Sequence, residues 1–341
     1  MSRILIFGGT GSLGRKLIER WSPERFVYVY SRDEAKHWAL RNEFHGCTNI
    51  NQPRFLVGDI RDAARVREVI DQVEPTTIII AAALKQVDTC ELSPNESVAT
   101  NLTGTQHVVR AVRDHNLIRP NIENVLFVST DKACSPVNVY GMCKATSERL
   151  ITSQAAQSPG PAFMCTRYGN VLESRGSIIP LFKYQAEHAP ALTITDPDMT
   201  RYLMTLDQSV DLIEAALAMG KSGDTWIPRL PAMRIGDLAD LFASRYNKPI
   251  KVIGLRPGEK LHEDLVNESE SVRTRPIRQT HYVIGPAHVP AGGTRFTYSS
   301  NDAVLTKAQL EAKLDELGIF SMPLDSFKGP NVEEIMTKRG T

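Results

Sequence analysis

The feature that most restricts how this chain can fold is a glycine-rich turn set between an apolar run and an amphipathic one. Ile4 to Phe7 reads as a buried strand, Gly8-Gly9-Thr10-Gly11-Ser12-Leu13-Gly14 follows at once, and Leu13 to Trp21 has apolar residues at helical spacing. The first N–H groups of a helix have no intrahelical partners, so a turn of this kind can receive a pyrophosphate, and glycine permits the close approach. A glycine turn alone is weak, because turns use glycine for conformational reasons. The strand before it and the helix after it make this one a dinucleotide-type turn, with Gly8, Gly11 and Gly14 in the spacing G-x-x-G-x-x-G.

The same alternation continues down the chain. Strands are predicted at Phe26 to Tyr30, Arg54 to Val57, Thr77 to Ala81 and Asn124 to Val128, with Phe163 to Arg167 and Thr225 to Ile227 as later members. Helices are predicted over Ala63 to Gln72 and Val139 to Gln154. This rhythm predicts an α/β fold with a Rossmann-type doubly wound parallel sheet. From about Glu173 the pattern loosens, interrupted by Pro180, Pro190, Pro197, Pro228, Pro231, Pro257, Pro276, Pro286 and Pro290. A smaller, discontinuous α/β substrate-binding lobe is therefore expected. Thr205 to Met219 is strongly helical again and is expected back on the sheet. The resulting division gives residues 1–170, with 200–227 returning, to the Rossmann domain, and 171–199 and 228–341 to the substrate lobe and a C-terminal extension.

Charge narrows the partners. The 341 residues carry 40 basic and 39 acidic side chains, a formal net charge of +1, so no global field draws the chain to nucleic acid or an anionic membrane. No apolar window reaches the roughly 18 residues of a membrane span, and a strand starting at Arg3 leaves no room for a signal peptide. The cytoplasm is the expected compartment. Five scattered cysteines, Cys47, Cys90, Cys134, Cys143 and Cys165, lack the close pairing of a zinc site, so they read as reduced thiols and no metal is expected.

Particular residues then suggest chemistry. The second strand ends in Ser31 and Arg32, where a chain preferring NAD usually has an acidic residue for the ribose 2′-hydroxyl; Arg32 suits a 2′-phosphate, so NADP is expected. NAD stays open, with Asp33 serving the ribose. Asp59 and Ile60 could meet the adenine, and Ala81 and Ala82 could let a cofactor pass close to the backbone, or all four could be ordinary strand-end packing. The fifth strand runs into Ser129-Thr130-Asp131-Lys132, and the next helix brings Tyr140 and Lys144 onto one face, four residues apart. An ammonium beside a phenol favours the phenolate, a base for a sugar hydroxyl.

Ser129-Thr130-Asp131-Lys132-Ala133 closely resembles the active-site strand end of UDP-N-acetylglucosamine 4,6-dehydratases, which are extended short-chain dehydrogenases/reductases. Similar likenesses run through Ala81-Ala82-Ala83-Leu84-Lys85-Gln86-Val87, Thr166 to Val171 with Ser174-Arg175-Gly176-Ser177, Ile194 to Arg201, and Arg256 to Glu263. Together they span Ile4 to about Lys313. Phe7 departs from the threonine that many members carry before the glycine turn, which bears on packing more than chemistry. With no membrane segment ahead of the catalytic part, the chain most resembles the small branch that inverts C5.

The resemblance implies oxidation at C4 by Tyr140 and a tightly bound, recycled NADP, elimination of water across C5 and C6, and return of the hydride to C6. Lys132 is implied as the C5 base and Asp131 as the C6 acid, although the sequence leaves the two roles interchangeable. Thr130 is implied at the C4 oxygen, Lys85 near cofactor and sugar, and Asn170, Arg201, Arg256 and Glu259 at the uridine diphosphate. It also implies a homo-oligomer, from dimer to hexamer. His262 reads as structural. Two alternatives stay open: a UDP-sugar 4-epimerase or reductase, which needs Tyr140, Lys144 and the glycine turn but no elimination couple, and a non-catalytic NADP-binding protein.

Overall fold

Ile4, Leu5, Ile6 and Phe7 are at most 2% exposed, so the first strand is covered on both faces, as a continuous apolar run requires of a parallel sheet. In the computed structural model the described residues are 2–45, 47, 50–157, 159–172, 174, 176–288 and 292–323. Glu173, Arg175, Pro290 and the expected C-terminal extension past residue 323 lie outside them.

The chain begins β1 (Arg3–Phe7), α1 (Ser12–Trp21), β2 (Phe26–Ser31), α2 (Glu34–His45), β3 (Arg54–Val57), α3 (Ala63–Val73) and β4 (Thr77–Ile80). Short helices α4 (Val87–Leu92) and α5 (Pro94–Ser97) and a π-helical turn (Val98–Thr103) lead into α6 (Gly104–Ile118), β5 (Asn124–Val128), α7 (Val139–Thr152) and β6 (Ala162–Thr166). Then come α8 (Ile178–His188), β7 (Leu192–Ile194), β8 (Thr200–Tyr202), α9 (Leu206–Met219) and β9 (Thr225–Pro228). The remainder is β10 (Ala232–Arg234), α10 (Ile235–Tyr246), β11 (Ile250–Val252), β12 (Asp264–Val266), α11 (Glu268–Ser271), β13 (Thr274–Ile277), β14 (His281–Ile284), β15 (Tyr298–Ser299) and α12 (Lys307–Glu316).

Nine strands form the main sheet in the order β13-β14-β9-β6-β5-β4-β1-β2-β3. From β9 to β3 every neighbouring pair is parallel, while β14 pairs antiparallel with both β9 and β13. The fold is thus the doubly wound Rossmann type, with an antiparallel hairpin added at one edge. The strand order reverses at β1, which pairs with β2 on one side and β4 on the other, Ile4 opposite both Val27 and Thr77. At such a switch point the loops leaving the two strands diverge and open a crevice at their carboxyl ends.

The chain divides into two compact units, one of residues 1–168, 207–229 and 266–296, the other of 169–206, 230–265 and the segment from Thr297. The first is built on the nine-stranded sheet. The second has its own core, in which Ile179, Phe182, Leu238 and Phe242 are fully buried around α8 and α10, with Leu310 and Leu314 of α12 in the same cluster.

Two boundaries of the expected division need correction. Residues 200–206, expected to return to the sheet, stay with the second unit, where β8 pairs with β10. Residues 266–296 belong with the sheet, although a division that gave all of 228–341 to the second lobe separates them from it. The prolines misled: Pro276 sits in the edge strand β13, where an amide hydrogen is not needed for a further ladder. A second tie fixes this segment. Arg167, 2% exposed, donates from Nε to Glu148 Oε1 at 2.9 Å and from its two terminal nitrogens to Glu270 at 2.8 Å each. Burial works to raise the Glu270 carboxyl, but Arg167 outweighs it and holds the group below its ordinary value. Three buried charges thereby join β6, α7 and α11.

Removing the cation would take the buried guanidinium from Glu148 and Glu270 together, which costs about 3–5 kcal/mol for a broken buried pair. Arg167→Met is therefore expected to lower the urea-unfolding free energy by roughly that amount, and a loss under about 1 kcal/mol would contradict the clamp.

Candidate active site

The crevice edge is shaped first by backbone. Gly8 has φ +84°, and a Cβ there would stand 2.5 Å from the Cα and N of Ala82, so the turn after β1 and the loop after β4 approach more closely than any side chain allows. A Cβ on Gly14 would fall 2.2 Å from the Gly9 carbonyl oxygen, so the first turn of α1 lies directly on the glycine turn. Gly11 is the N-cap of α1 and supplies no side-chain cap. The N-terminus of this ten-residue helix, with Ser12 and Leu13 in its first turn, therefore meets the crevice with no capping side chain in front of it, the end of a helix that favours an anion. These features fit a dinucleotide pyrophosphate.

Beyond β2, Thr10 Oγ1 donates to Ser31 Oγ at 3.2 Å. Arg32 is half exposed and reaches Asp59 Oδ2 at 3.5 Å. Asp59 accepts more firmly from Arg61, at 2.9 Å from Nε and 2.7 Å from Nη2. Burial works to raise the Asp59 carboxyl, and Arg61 with Arg32 reverses that and holds it low. Ile60 is 5% exposed and belongs to the core cluster of the sheet, so it packs as well as facing the strand end.

The loop after β4, which carries Ala81, Ala82 and Lys85, is pinned by a residue the sequence reading missed. Asn101, 1% exposed, accepts from the Leu84 N–H and donates to the Leu84 carbonyl, both at 2.9 Å. The π-helical turn around Asn101 leaves its carbonyl accepting from Thr105 and from Ser147 of α7, each at 2.9 Å. The available signal was a lone asparagine in a helical stretch, which also fits an exposed position.

At the end of β5, Asp131 is 1% exposed. Its Oδ1 accepts from the Thr130 hydroxyl at 2.9 Å and from Lys132 Nζ at 3.1 Å, and its amide donates to the Tyr168 carbonyl at 3.0 Å. Asp131 Oδ2 is buried and has no hydrogen-bond partner among the described residues. Tyr140, in the first turn of α7 behind the Asn138 cap, is 8% exposed and hydrogen-bonds the Thr130 side chain. Thr130, Asp131, Lys132 and Tyr140 therefore form one contiguous group.

Burial pushes the Tyr140 phenol up to about 12, and the strongest opposing influence is the Lys132 ammonium. The Lys144 ammonium donates to the Val128 carbonyl at 2.8 Å and stands 4.2 Å from the centre of the Phe127 ring. Burial brings Lys144 down to about 8 against the pull of Glu148. A second buried phenol, Tyr168, is also raised by burial and senses Tyr140.

In the second unit, Arg201 donates to the carbonyls of Thr200, Lys260 and Leu261 at 2.7–3.0 Å. Arg256 pairs with Glu259. Asn170 Oδ1 is buried and has no hydrogen-bond partner among the described residues. His262 Nδ1 lies 2.9 Å from the Thr200 hydroxyl.

A doubly wound sheet with a glycine turn at its switch point and a Thr-Asp-Lys/Tyr group at the end of β5 defines an enzyme of the sugar-nucleotide dehydratase/epimerase kind, built on the short-chain dehydrogenase/reductase fold. The chain belongs to the polysaccharide biosynthesis protein family, whose sequence model matches residues 4–284. It is 37% identical to a UDP-N-acetylglucosamine 4,6-dehydratase (inverting) of Campylobacter jejuni over 291 residues, 83% of each chain. It is 38% identical to a UDP-glucose 4-epimerase of Rickettsia prowazekii over 308 residues, 87% of this chain and 85% of the other. Among solved structures it is similar to Pen from Bacillus thuringiensis, with a TM-score of 0.84 and 34% identity over 92% of this chain and 98% of that one. A dTDP-glucose 4,6-dehydratase of Streptomyces venezuelae with NAD bound shares the fold, at a TM-score of 0.65 and 20% identity over 76% of this chain and 86% of that one. Among the described residues no helix is long and apolar enough to cross a membrane.

The depressed Lys144 has a consequence for stability. An unfolded chain keeps this amine near 10.5, so from about pH 8 to 10.5 the unfolded state holds the extra proton and folding gains as pH rises. Below pH 8 both states are charged and the gain is absent. Measured against Lys144→Met, the unfolding free energy is expected to rise by about 3 kcal/mol across that window. A flat difference would contradict the buried, depressed ammonium.

Proposed function

We propose that the protein is a UDP-N-acetylglucosamine 4,6-dehydratase that inverts C5 and uses NADP, acting in the cytoplasm as a homo-oligomer of two to six copies. The observation that carries this reading is the Asp131–Lys132 contact at 3.1 Å beside Thr130 and Tyr140. An epimerase needs a phenol, a lysine and a hydride carrier. A dehydratase needs in addition an acid for the C6 hydroxyl and a base for the C5 proton.

One proton transfer from Lys132 Nζ to Asp131 converts an ammonium and a carboxylate into an amine and a carboxylic acid, the base and the acid that elimination requires. Asp131 Oδ1 is occupied by Thr130 and Lys132, which leaves Oδ2 to carry that proton to the departing hydroxyl. A buried acceptor without a donor costs about 1–3 kcal/mol, and a C6 hydroxyl donating to it relieves that cost. Thr130 can accept from the Tyr140 phenol while donating to Asp131, or turn its hydroxyl toward the phenolate once Tyr140 ionises, so it holds the C4 oxygen and the base in register. A bound nicotinamide would supply the hydride acceptor for C4 and the hydride donor for C6. Lys144 would hold that ring's ribose, while Lys132 is the stronger cationic influence on the phenol.

We assign the dinucleotide to Gly8, Thr10, Gly11, Ser12, Leu13, Gly14, Ser31, Arg32, Asp59, Ile60, Ala81, Ala82 and Lys85, with Arg32 at the 2′-phosphate. The half-exposed Arg32 guanidinium supports that role, since its contact with Asp59 is a long one, 3.5 Å. The uridine diphosphate is assigned to Asn170, Arg201, Arg256 and Glu259, where guanidinium forks suit two phosphates.

Incubation with UDP-N-acetylglucosamine is expected to give a product lighter by one water; unchanged mass would point to epimerisation or to no turnover. In deuterated solvent, Lys132→Ala is expected to block label at C5 and keep cofactor binding, and normal labelling would refute the base. Arg32→Ala is expected to weaken NADP at least tenfold more than NAD, the scale of a hydrogen bond to a charged group; equal losses would count against NADP.

A further inference from the structure

A buried histidine stands behind the end of β2, unused by the chemistry above. His37 of α2 is 2% exposed, and its Nε2 lies 2.7 Å from Ser31 Oγ. Its Nδ1 is buried and has no hydrogen-bond partner among the described residues. The ring lies 5.4 Å from that of Phe55, centre to centre. Ser31 Oγ meanwhile accepts from Thr10 Oγ1 at 3.2 Å.

The ring is neutral at pH 7, because burial pushes its pKa down and Arg41 pushes the same way, against Asp33 and Glu34. A neutral imidazole has one N–H, so one of two tautomers must be chosen. With the proton on Nδ1, a buried N–H is orphaned, which folded proteins rarely tolerate; with it on Nε2, only a lone pair goes bare, the lesser defect. The Nε2–H tautomer therefore prevails and donates to Ser31. Both lone pairs of Ser31 Oγ are then taken, one by His37 and one by Thr10, and its own hydrogen is left for an outside acceptor.

We infer that His37 is a positioning residue that fixes Ser31 as a hydrogen-bond donor toward the 2′-phosphate of NADP, and thereby sets the preference for NADP over NAD. A phosphate offers only acceptors, so a Ser31 locked as donor favours it. A ribose 2′-hydroxyl can donate or accept, and gains little from the lock. The inference rests on the NADP reading given above and identifies the residue behind it.

The test measures Kd for NADP and for NAD on the full-length protein by titration. Wild-type protein without an NADP preference would overturn the cofactor reading itself. Given that preference, His37→Met, which keeps the bulk and removes the donor, is expected to reduce the NADP-over-NAD ratio by about tenfold or more. His37→Gln, which retains an N–H, is expected to keep the ratio within about threefold of wild type, as a shifted donor of the same kind should. In a Ser31→Ala background His37→Met should change the ratio by less than about twofold, because the two residues act through one hydroxyl. A ratio unmoved by His37→Met, or an equal fall with and without Ser31, would overturn the inference. Should His37→Met fail to fold, imidazole ¹⁵N shifts of wild-type protein decide: a protonated Nε2 and bare Nδ1 support it, and a protonated Nδ1 overturns it.

Discussion

The approach of two loops at the switch point of the sheet governs what the first unit can hold. β1 and β4 are hydrogen-bonded neighbours, Phe7 opposite Ile80, and the chains leaving them nearly touch at Gly8 and Ala82. No side chain separates them. That contact fixes where α1 starts, so its N-terminus stands at the carboxyl edge of the sheet, and β5 delivers Thr130 and Asp131 to the same edge two strands away from β1. Rigid strands covered on both faces hold such groups more precisely than loops could.

Burial then does most of the electrostatic work, and it acts in opposite senses on neighbouring groups. It raises the Tyr140 phenol and lowers the Lys144 ammonium, so each approaches its neutral form without any partner being required. Glu148 links this chemistry to the frame of the unit. It pulls Lys144 up from one side while pairing with the buried Arg167 on the other. Arg167 also holds Glu270, so the clamp that secures residues 266–296 sets part of the field under α7. A stability residue and a residue that tunes a lysine are here one carboxylate.

What could be read from the sequence was whatever local pattern encodes. The strands β1 to β6, the glycine turn, and the clustering of Thr130, Asp131, Lys132 and Tyr140 all follow from apolar periodicity and short spacings. Strand ends shifted by one residue, as with β6 ending at Thr166, just before Arg167, whose backbone still donates to Trp226 while its side chain meets the carboxylates. The placement of residues 266–296 was not legible, because the Arg167–Glu270 pair joins positions 103 apart and β13 and β14 are short, with a proline inside β13. Asn101 and His37 were hidden for the same reason: their meaning lies in what they touch, Leu84 and Ser31, and nothing local announces it. The Val128 carbonyl that Lys144 meets was not legible either, because helical spacing fixes a shared face but not the direction of a flexible four-carbon stem.

A fold selected for stability alone would not leave Asp131 Oδ2, His37 Nδ1 and the Lys144 ammonium as they stand. Two are buried without hydrogen-bond partners among the described residues and the third is charged where charge is costly, each at about 1–3 kcal/mol. All three lie on or next to the residues that follow β2 and β5. The surplus burial of a nine-stranded sheet tolerates them, and their incomplete pairing is what lets a ligand improve on the free protein: a hydroxyl can donate to Asp131, and a phosphate can accept from Ser31. Polar groups that were fully satisfied beforehand would have nothing left to offer, so the defects near these strand ends measure the capacity of the site to bind.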